Sequence, residues 1–244
     1  MKRKYNYFHG NSNKNFVIDS MIKYISQKQE MDKQLEKIIS PFIKGKSLDI
    51  LDACCGIGHI SYFLHRISPK SKFLGIDQTQ YLIDEATKIC NGIKNLRFEV
   101  GDILDVKYKK KFDITINWKT LSWLPYYTDI LKSLFEATKS HIFLSSLFYD
   151  GDIDFEIKVH EFKRRTSKLG FTSYYNVYSY PHFEEFVYEL GAKNVKSYDF
   201  HIKKDLQKPP PDQMGTYTLL LKNGSRLQVS GAVLMLWKII RIDL

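Results

Sequence analysis

The sequence lacks several features that would assign it to a common class of protein. It has only three cysteines, Cys54, Cys55 and Cys90, with no C-x-x-C pair, which argues against a disulfide framework and fits a reducing compartment. No apolar run reaches the roughly 18 residues of a membrane span. The basic N-terminus is followed by polar residues, not by the apolar core of a signal peptide. We therefore expect a cytoplasmic protein without a membrane partner.

Composition and charge narrow the class further. With 244 residues, 43% of them hydrophobic, the chain is long enough for one domain with a substantial core plus a small appendage. The net charge is +10, and residues 1–46 hold 10 Lys/Arg against 4 Asp/Glu, so most of the excess lies there. Such a segment could attract a phosphorylated substrate or RNA, or it could be a solvated helix.

Hydrophobic periodicity predicts an α/β fold. Residues 1–46 read as an N-terminal helical extension, with a helical pattern from Phe16 to about Phe42. Residues 47–244 then read as an α/β domain with a doubly wound, mostly parallel seven-stranded sheet. The first five predicted strands are Ser47–Ala53, Lys72–Asp77, Leu96–Val100, Phe112–Asn117 and His141–Ser146. Helices are predicted between them, at His59–Ser68, Thr79–Cys90 and Asp129–Thr138.

This alternation breaks after Ser146. Residues 147–180, rich in Tyr, Phe and charge, predict a partly helical cap inserted over a substrate. A helix at Pro181–Leu190 and a strand at Asn194–Ile202 follow. Asn223-Gly224 is a strong hairpin signal, so the sheet is expected to end in an antiparallel hairpin.

Acidic residues stand at the ends of three successive predicted strands. Asp52 precedes the small-residue loop Cys54–Gly58, where its charge would disfavour a pyrophosphate and suit a ligand that bears an ammonium group. Asp77, at the end of the second strand, is placed to accept hydrogen bonds from ribose hydroxyls. Asp102, after the third strand, can accept one from an adenine amine. Ligands bind at this carboxyl edge of open α/β sheets.

Together these residues resemble the class I S-adenosylmethionine-dependent methyltransferases, over roughly residues 47–229. The family's first loop has an acid followed by three glycines at alternate positions; Asp52, Gly56 and Gly58 match, and Cys54 replaces the first glycine. The resemblance implies S-adenosyl-L-methionine as cofactor and S-adenosyl-L-homocysteine as product. It also implies a cofactor site formed by Asp52, Ala53, Cys54, Gly56, Gly58, Asp77, Gln78, Asp102, Ile103, Asn117 and Trp118. A weaker resemblance, at the chain's two ends, is to small-molecule enzymes of bacterial glycan and natural-product pathways.

The class of acceptor is inferred mainly from motifs that the sequence lacks. The segment after the fourth strand lacks the Asn/Asp-Pro-Pro-aromatic signature of amino-methylating DNA enzymes, and there is no Pro-Cys pair for attack on cytosine. No H-E-x-x-H or other metal-ligand spacing is present, so no metal is predicted. We expect methyl transfer to an oxygen of a small molecule, such as a sugar or a phosphate- or phosphoramidate-bearing precursor of a capsule or other surface polysaccharide.

Candidate acceptor-side residues come from the cap and the N-terminus. His160 and His182 are candidate general bases. Candidate substrate-binding residues are Tyr7, His9, Arg164, Tyr175 and Tyr178. Residues 1–15 are a candidate lid whose closure would exclude water.

Three other functions remain open at this stage. A nicotinamide-dependent dehydrogenase needs the same ribose acid and glycine loop, but it leaves Asp102 unexplained. An RNA methyltransferase would use the positive N-terminal segment, although the absent nucleobase motifs count against base methylation. A cofactor-binding subunit without activity would account for the replacement of a loop glycine by Cys54.

Overall fold

The computed structural model describes residues 14–105, 108, 110–162, 169–210 and 215–244. The helices are α1 (Lys14–Ser26), α2 (Glu30–Ile43), α3 (His59–Ile67), α4 (Gln80–Ile89), α5 (Thr128–Ala137) and α6 (Tyr180–Glu189). The strands are β1 (Asp49–Ala53), β2 (Lys72–Asp77), β3 (Leu96–Val100), β4 (Phe112–Trp118), β5 (Thr138–Tyr149), β6 (Lys158–Phe162), β7 (Leu169–Tyr174), β8 (Tyr178–Ser179), β9 (Asn194–Asp199), β10 (Thr216–Leu220), β11 (Arg226–Ser230), β12 (Val233–Leu234) and β13 (Trp237–Asp243).

Seven strands form the central sheet, in the order β3-β2-β1-β4-β5-β13-β9, and the short β8 adds to β5. Strands β1 to β5 pair in parallel, whereas β13 runs antiparallel to both β5 and β9. The predicted mostly parallel, doubly wound sheet is therefore confirmed. Strands β1 and β4 are buried almost throughout, because helices cover both of their faces, as is usual for the central strands of such sheets.

Helices cover both faces of the sheet and divide the core in two. On one face α2 buries a stripe at every fourth residue, Met31, Leu35, Ile39 and Ile43, beside residues of α3. On the other face α5 and α6 bury apolar side chains against the same strands. Among the described residues no helix is both long and apolar enough to span a bilayer.

The prediction for the end of the sheet was wrong in one respect. The Asn223-Gly224 turn does join two antiparallel strands, β10 and β11, but these pair with β12 in a separate three-stranded sheet. The antiparallel strand of the central sheet is β13. A turn signal fixes only the pairing of its two flanking strands, and most residues of β10 and β11 are partly or fully exposed.

The N-terminal extension and the cap also differ from expectation. The single helical pattern is two helices, and the Gln29 N–H at the break between them donates to Asp32 Oδ2, 3.2 Å away. The partly helical content expected for residues 147–180 was wrong for the described part, which forms the β6–β7 hairpin. Val, Phe, Thr and Tyr in these strands favour extended backbone.

Candidate cofactor and acceptor site

The loop between β1 and α3 requires unusual backbone conformations. Gly56 and Gly58 have φ of 55° and 73°, in the left-handed region that favours glycine. A Cβ on Gly58 would also lie 2.2 Å from the Phe98 ring, so a larger residue is excluded. Cys54, which stands where the family has its first glycine, has φ of 61° and is itself in the left-handed region. Three positions of the loop, Cys54, Gly56 and Gly58, thus have a left-handed backbone conformation.

Asp77 connects this loop to the end of β2. Its Oδ2 accepts the Gly56 N–H at 3.0 Å, and its Oδ1 accepts the Thr79 N–H at 2.9 Å. Burial raises the pKa of Asp77, against the opposing effect of these two N–H groups. The Thr79 side chain also donates to this carboxylate, so the carboxylate is held rigidly and keeps at least one lone pair for a hydroxyl donor.

Asp52 has a structural role as well as a place in the site. The side chain is buried, and its Oδ2 accepts both the Ser61 hydroxyl at 2.7 Å and the Ser61 N–H at 3.3 Å. It therefore satisfies a donor in the first turn of α3. Burial raises the pKa of Asp52 to about 7 despite these bonds.

Asp102 closes a turn after β3. Its Oδ1 accepts the Leu104 N–H at 3.0 Å, and its own carbonyl accepts the Asp105 N–H at 2.9 Å. The turn presents Gly101 to Leu104 toward the same space as Asp77.

A cavity of about 430 Å³ lies at the carboxyl ends of the parallel strands, within the usual size range of small-molecule sites. Most of the predicted cofactor residues line it: Asp52, Cys54, Gly56, Asp77, Gln78, Asp102, Ile103 and Trp118. Ala53, Gly58 and Asn117 do not. Asn117 is buried and its Nδ2 donates to the Ala53 carbonyl at 3.0 Å, so it braces the loop from beneath.

The charges of the described cavity lining favour a cationic ligand. Three carboxyl groups, of Asp52, Asp77 and Asp102, face one ammonium group, that of Lys119. These carboxylate acceptors fit a cofactor with a sulfonium and an ammonium group, and would repel a dinucleotide pyrophosphate. The residues present therefore fit S-adenosylmethionine.

Sequence reasoning missed the side of the cavity that is formed by α1, the start of α3 and the segment after β4. Met21, Tyr24, His59, Lys119, Thr120 and Trp123 also line it. Lys119 and Thr120 follow β4 at the same edge as the predicted acids, and that position was a usable signal. Tyr24 and Met21 come from α1 and carried no such signal.

The candidate acceptor-side residues lie elsewhere. His160 is exposed and its Nδ1 lies 3.0 Å from Thr172 Oγ1; His182 is exposed, with Nε2 4.0 Å from Asp152 Oδ1. Neither lines the cavity, so their positions do not support a role as general base. The structure describes residues only from 14 onward and omits 163–168, so Tyr7, His9, Arg164 and most of the candidate lid lie outside it.

Tyr178 and Tyr175 pack behind residues that line the cavity. The buried Tyr178 hydroxyl lies 3.0 Å from the Leu121 carbonyl and 2.8 Å from the Leu124 carbonyl, which fixes the turn after β4. The Tyr175 ring packs edge-on against Trp123, with centroids 4.1 Å apart. Both tyrosines support cavity-lining residues rather than line the cavity themselves.

Comparison with known proteins decides the family. A model described as "Methyltransferase domain" matches residues 44–174, more than half of the chain. The chain belongs to this family. The methyltransferase domain is of the class I type, whose cofactor is S-adenosylmethionine, and its matched span begins before β1 and ends in β7.

Individual relatives are more distant. The chain is 27% identical over 115 residues to the malonyl-[acyl-carrier protein] O-methyltransferase of Bacillus cereus, a match that covers 47% of this chain and 42% of the relative. A 109-residue match to the protein of the same name from Bacillus anthracis is also 27% identical and covers 45% and 40% of the two chains. The chain thus matches about two fifths of the length of these curated relatives.

Solved structures share the fold. Magnesium protoporphyrin IX methyltransferase from Synechocystis PCC 6803, solved with bound S-adenosylhomocysteine, aligns with a TM-score of 0.54 and 11% identity over 100% of this chain and 90% of its own. The YcgJ protein from Bacillus subtilis aligns with a TM-score of 0.54 and 12% identity over 85% and 96% of the two chains. At this identity the likeness concerns the fold.

Proposed function

We propose that this methyltransferase domain transfers a methyl group from S-adenosylmethionine to an oxygen atom of a small acceptor. The observation that carries the proposal is the row of carboxylates at the ends of β1, β2 and β3 around one cavity. Asp102 is assigned to the adenine amine, Asp77 to the ribose hydroxyls and Asp52 to the ammonium group. When bound, the cofactor supplies an electrophilic methyl group on a positively charged sulfur.

The chain's own residues position this reaction rather than perform covalent chemistry. The loop over Cys54–Gly58 allows close approach of a ligand to the backbone, and Asp77 holds that loop in place. Trp118 and Trp123 supply apolar wall at the far end of the cavity, which limits water there.

Oxygen as the acceptor atom is supported by the curated relatives, which are named O-methyltransferases. A sugar or phosphate-bearing precursor of a surface polysaccharide, made in the cytoplasm, remains our proposed acceptor class. A carrier-bound acid is the second candidate, because the same relatives are named for malonyl-[acyl-carrier protein] and Lys119 supplies an ammonium group at the cavity.

Two alternatives lose support. The family match contradicts a dehydrogenase, in agreement with the acidic cavity lining. An RNA methyltransferase would use the basic N-terminal segment as a surface, but α2 buries one face of that segment in the core, and the sequence lacks the nucleobase motifs.

Calorimetric titration with S-adenosylhomocysteine tests the cofactor assignment. We expect binding to the wild type, no binding of NADH, and a loss of at least tenfold in affinity in Asp77→Ala. Asp84→Ala, an exposed acid on α4, is the matched control and should bind as the wild type does. Equal affinity in both variants would contradict the assignment of Asp77.

Methyl transfer itself is tested with ¹³C-methyl-labelled S-adenosylmethionine. Pools of phosphorylated sugars and nucleotide sugars form one arm, and a malonyl thioester forms the other. Label in one pool identifies the acceptor class. Label in neither, with the cofactor bound, would favour the cofactor-binding subunit without activity.

A further inference from the structure

The strand order separates the cavity into two ends. Asp102, Asp77 and Asp52 stand at the ends of β3, β2 and β1, and Lys119 follows β4 on the other side of β1. At about 4.8 Å per strand, Lys119 lies roughly three strand spacings, or about 14 Å, from the end of β3. A ligand held by Asp102, Asp77 and Asp52 leaves the β4 end of the cavity to a second molecule. This inference rests on the proposed function.

Lys119 is held in an unusual conformation at that end. Its φ is 56°, a left-handed backbone conformation that costs a lysine energy and that proteins retain mostly at functional positions. Its N–H donates to Ser145 Oγ at 2.9 Å, which anchors the backbone. The strained conformation directs the side chain toward α2 and the cavity.

The Lys119 ammonium group is oriented but keeps donors for a ligand. Nζ donates to Gln29 Oε1 at 2.6 Å and lies 3.9 Å from Asp32 Oδ1, too far for a hydrogen bond. Asp32 instead accepts from Trp118 Nε1 and the Gln29 N–H. An ammonium has three donors, so two remain after the bond to Gln29 among the described contacts. Burial lowers the pKa of Lys119, with Asp32 opposing.

His59 adds a neutral donor beside this cation. Its ring lines the cavity 5.7 Å from the Tyr24 ring, and its Nδ1 is enclosed without a hydrogen-bond partner among the described residues. An enclosed N–H without a partner costs more than an enclosed lone pair, so the proton belongs on Nε2. Burial lowers the pKa of His59 to about 4, which keeps the ring neutral at pH 7. His59 therefore suits an oxygen acceptor as a donor, not as a base.

We infer that Lys119, with Gln29 and His59 beside it, binds an ionised oxygen acid on the acceptor, a carboxylate or a phosphate, and that this oxygen receives the methyl group. The acceptor oxygen attacks the methyl carbon, a C–O bond forms, the C–S bond breaks, and its electron pair returns to sulfur. Because the acid is already ionised, no proton has to leave it. The reaction then needs no general base, in accord with the positions of His160 and His182 away from the cavity.

Calorimetry on the full chain saturated with S-adenosylhomocysteine tests the acid site. The probes are malonate, its neutral analogue malonamide, and inorganic phosphate. We expect malonate or phosphate to bind and malonamide not to bind; which anion binds distinguishes the two acids. Lys119→Met should weaken binding of that anion at least tenfold. Lys88→Met, an exposed lysine on α4, should leave it unchanged.

A second measurement avoids any folding defect in the variant. Wild-type protein is acetylated with a limiting amount of acetic anhydride, with and without the anion, and each lysine is followed by mass spectrometry. Acetylation of Lys119 should fall severalfold with the anion present, while that of Lys88 stays constant. Absence of binding by both anions, equal binding by Lys119→Met, or unchanged acetylation of Lys119 would overturn the inference. If S-adenosylhomocysteine itself does not bind, the proposed function fails instead.

Discussion

Trp118, at the end of β4, donates its indole N–H to Oδ1 of Asp32 on α2 at 2.9 Å, and both side chains are buried. The two residues stand 86 positions apart in the chain. The bond joins the N-terminal helices to the edge of the sheet where the cavity opens. Helix α2 is therefore part of the wall that holds Trp118 and Lys119, not a detached appendage.

Replacement of Asp32 tests this connection. Asp32→Asn keeps an oxygen that can accept from Trp118, but it removes the charge that faces Lys119 at 3.9 Å. We expect the unfolding free energy to fall by about 2 kcal/mol, because the amide nitrogen of Asn cannot accept the Gln29 N–H and because Lys119 loses its nearby negative charge. Asp19→Asn, an exposed acid on α1, should change it by less than about 0.5 kcal/mol. Urea unfolding measures both, and equal effects would contradict the structural role of Asp32.

Two glycines with similar backbone angles separate conformational strain from steric overlap. Gly92 has φ of 85° and open space around a built Cβ, so Gly92→Ala should cost only the backbone term, about 1 kcal/mol. Gly58 has φ of 73°, but its Cβ would lie 2.2 Å from Phe98, so Gly58→Ala should cost about 1–3 kcal/mol more. Urea unfolding of both variants gives the difference. A smaller cost for Gly58→Ala would show that Phe98 moves aside freely.

The central sheet was predictable because its buried parallel strands are short apolar runs that alternate with helices. Strand β13 was not, because Lys238 and Arg241 interrupt its apolar pattern. In the folded chain Lys238 pairs with Asp150 and Asp199, and Arg241 pairs with Asp243, so the charges are accommodated. Asp150 and Asp199 are brought to Lys238 by the fold, and a local pattern cannot reveal them.

The candidate site likewise has one part that was predictable from the sequence and one part that was not. Asp52, Asp77 and Asp102 were predictable because each follows its own strand at one edge of the sheet. The environments of Lys119 and His59 were not, because they depend on contacts between distant segments. Lys119 meets Gln29 across 90 positions of the chain, and His59 packs beside Tyr24 of α1. The cofactor half of the cavity follows from local order, and the other half from tertiary packing.

Substitution of Cys54 tests how far this loop needs a glycine. Cys54→Gly removes the backbone strain at φ of 61° but raises the conformational entropy of the unfolded chain. Because these two effects oppose each other, the unfolding free energy should change by less than about 1 kcal/mol. Cys54→Val places a β-branched side chain in the same conformation and should cost about 2 kcal/mol or more. Urea unfolding compares them. Equal stability of the valine and glycine variants would contradict the strain at this position.

Asp52, at the end of β1, makes the unfolding free energy depend on pH. Burial raises the pKa of Asp52 to about 7, so near neutral pH the free protein carries a mixture of charged and protonated Asp52. The folded state thus binds this proton more tightly than the unfolded state does. Consequently the unfolding free energy should fall as pH rises from about 4 to about 7, and Asp52→Asn should abolish that part of the fall.

An ammonium group beside Asp52 favours its charged form, so binding should expel the proton. Affinity for S-adenosylhomocysteine should therefore rise about tenfold between pH 6 and pH 8, because the ionised fraction rises from about a tenth to about nine tenths for a pKa of about 7. Calorimetry at pH 6 in two buffers of different ionisation enthalpy should show nearly one proton released per ligand. Asp52→Asn should flatten the profile. If the slope persists in that variant, Asp77 is the titrating group, since burial also raises its pKa. If the wild-type affinity is flat, the ammonium group does not lie beside Asp52.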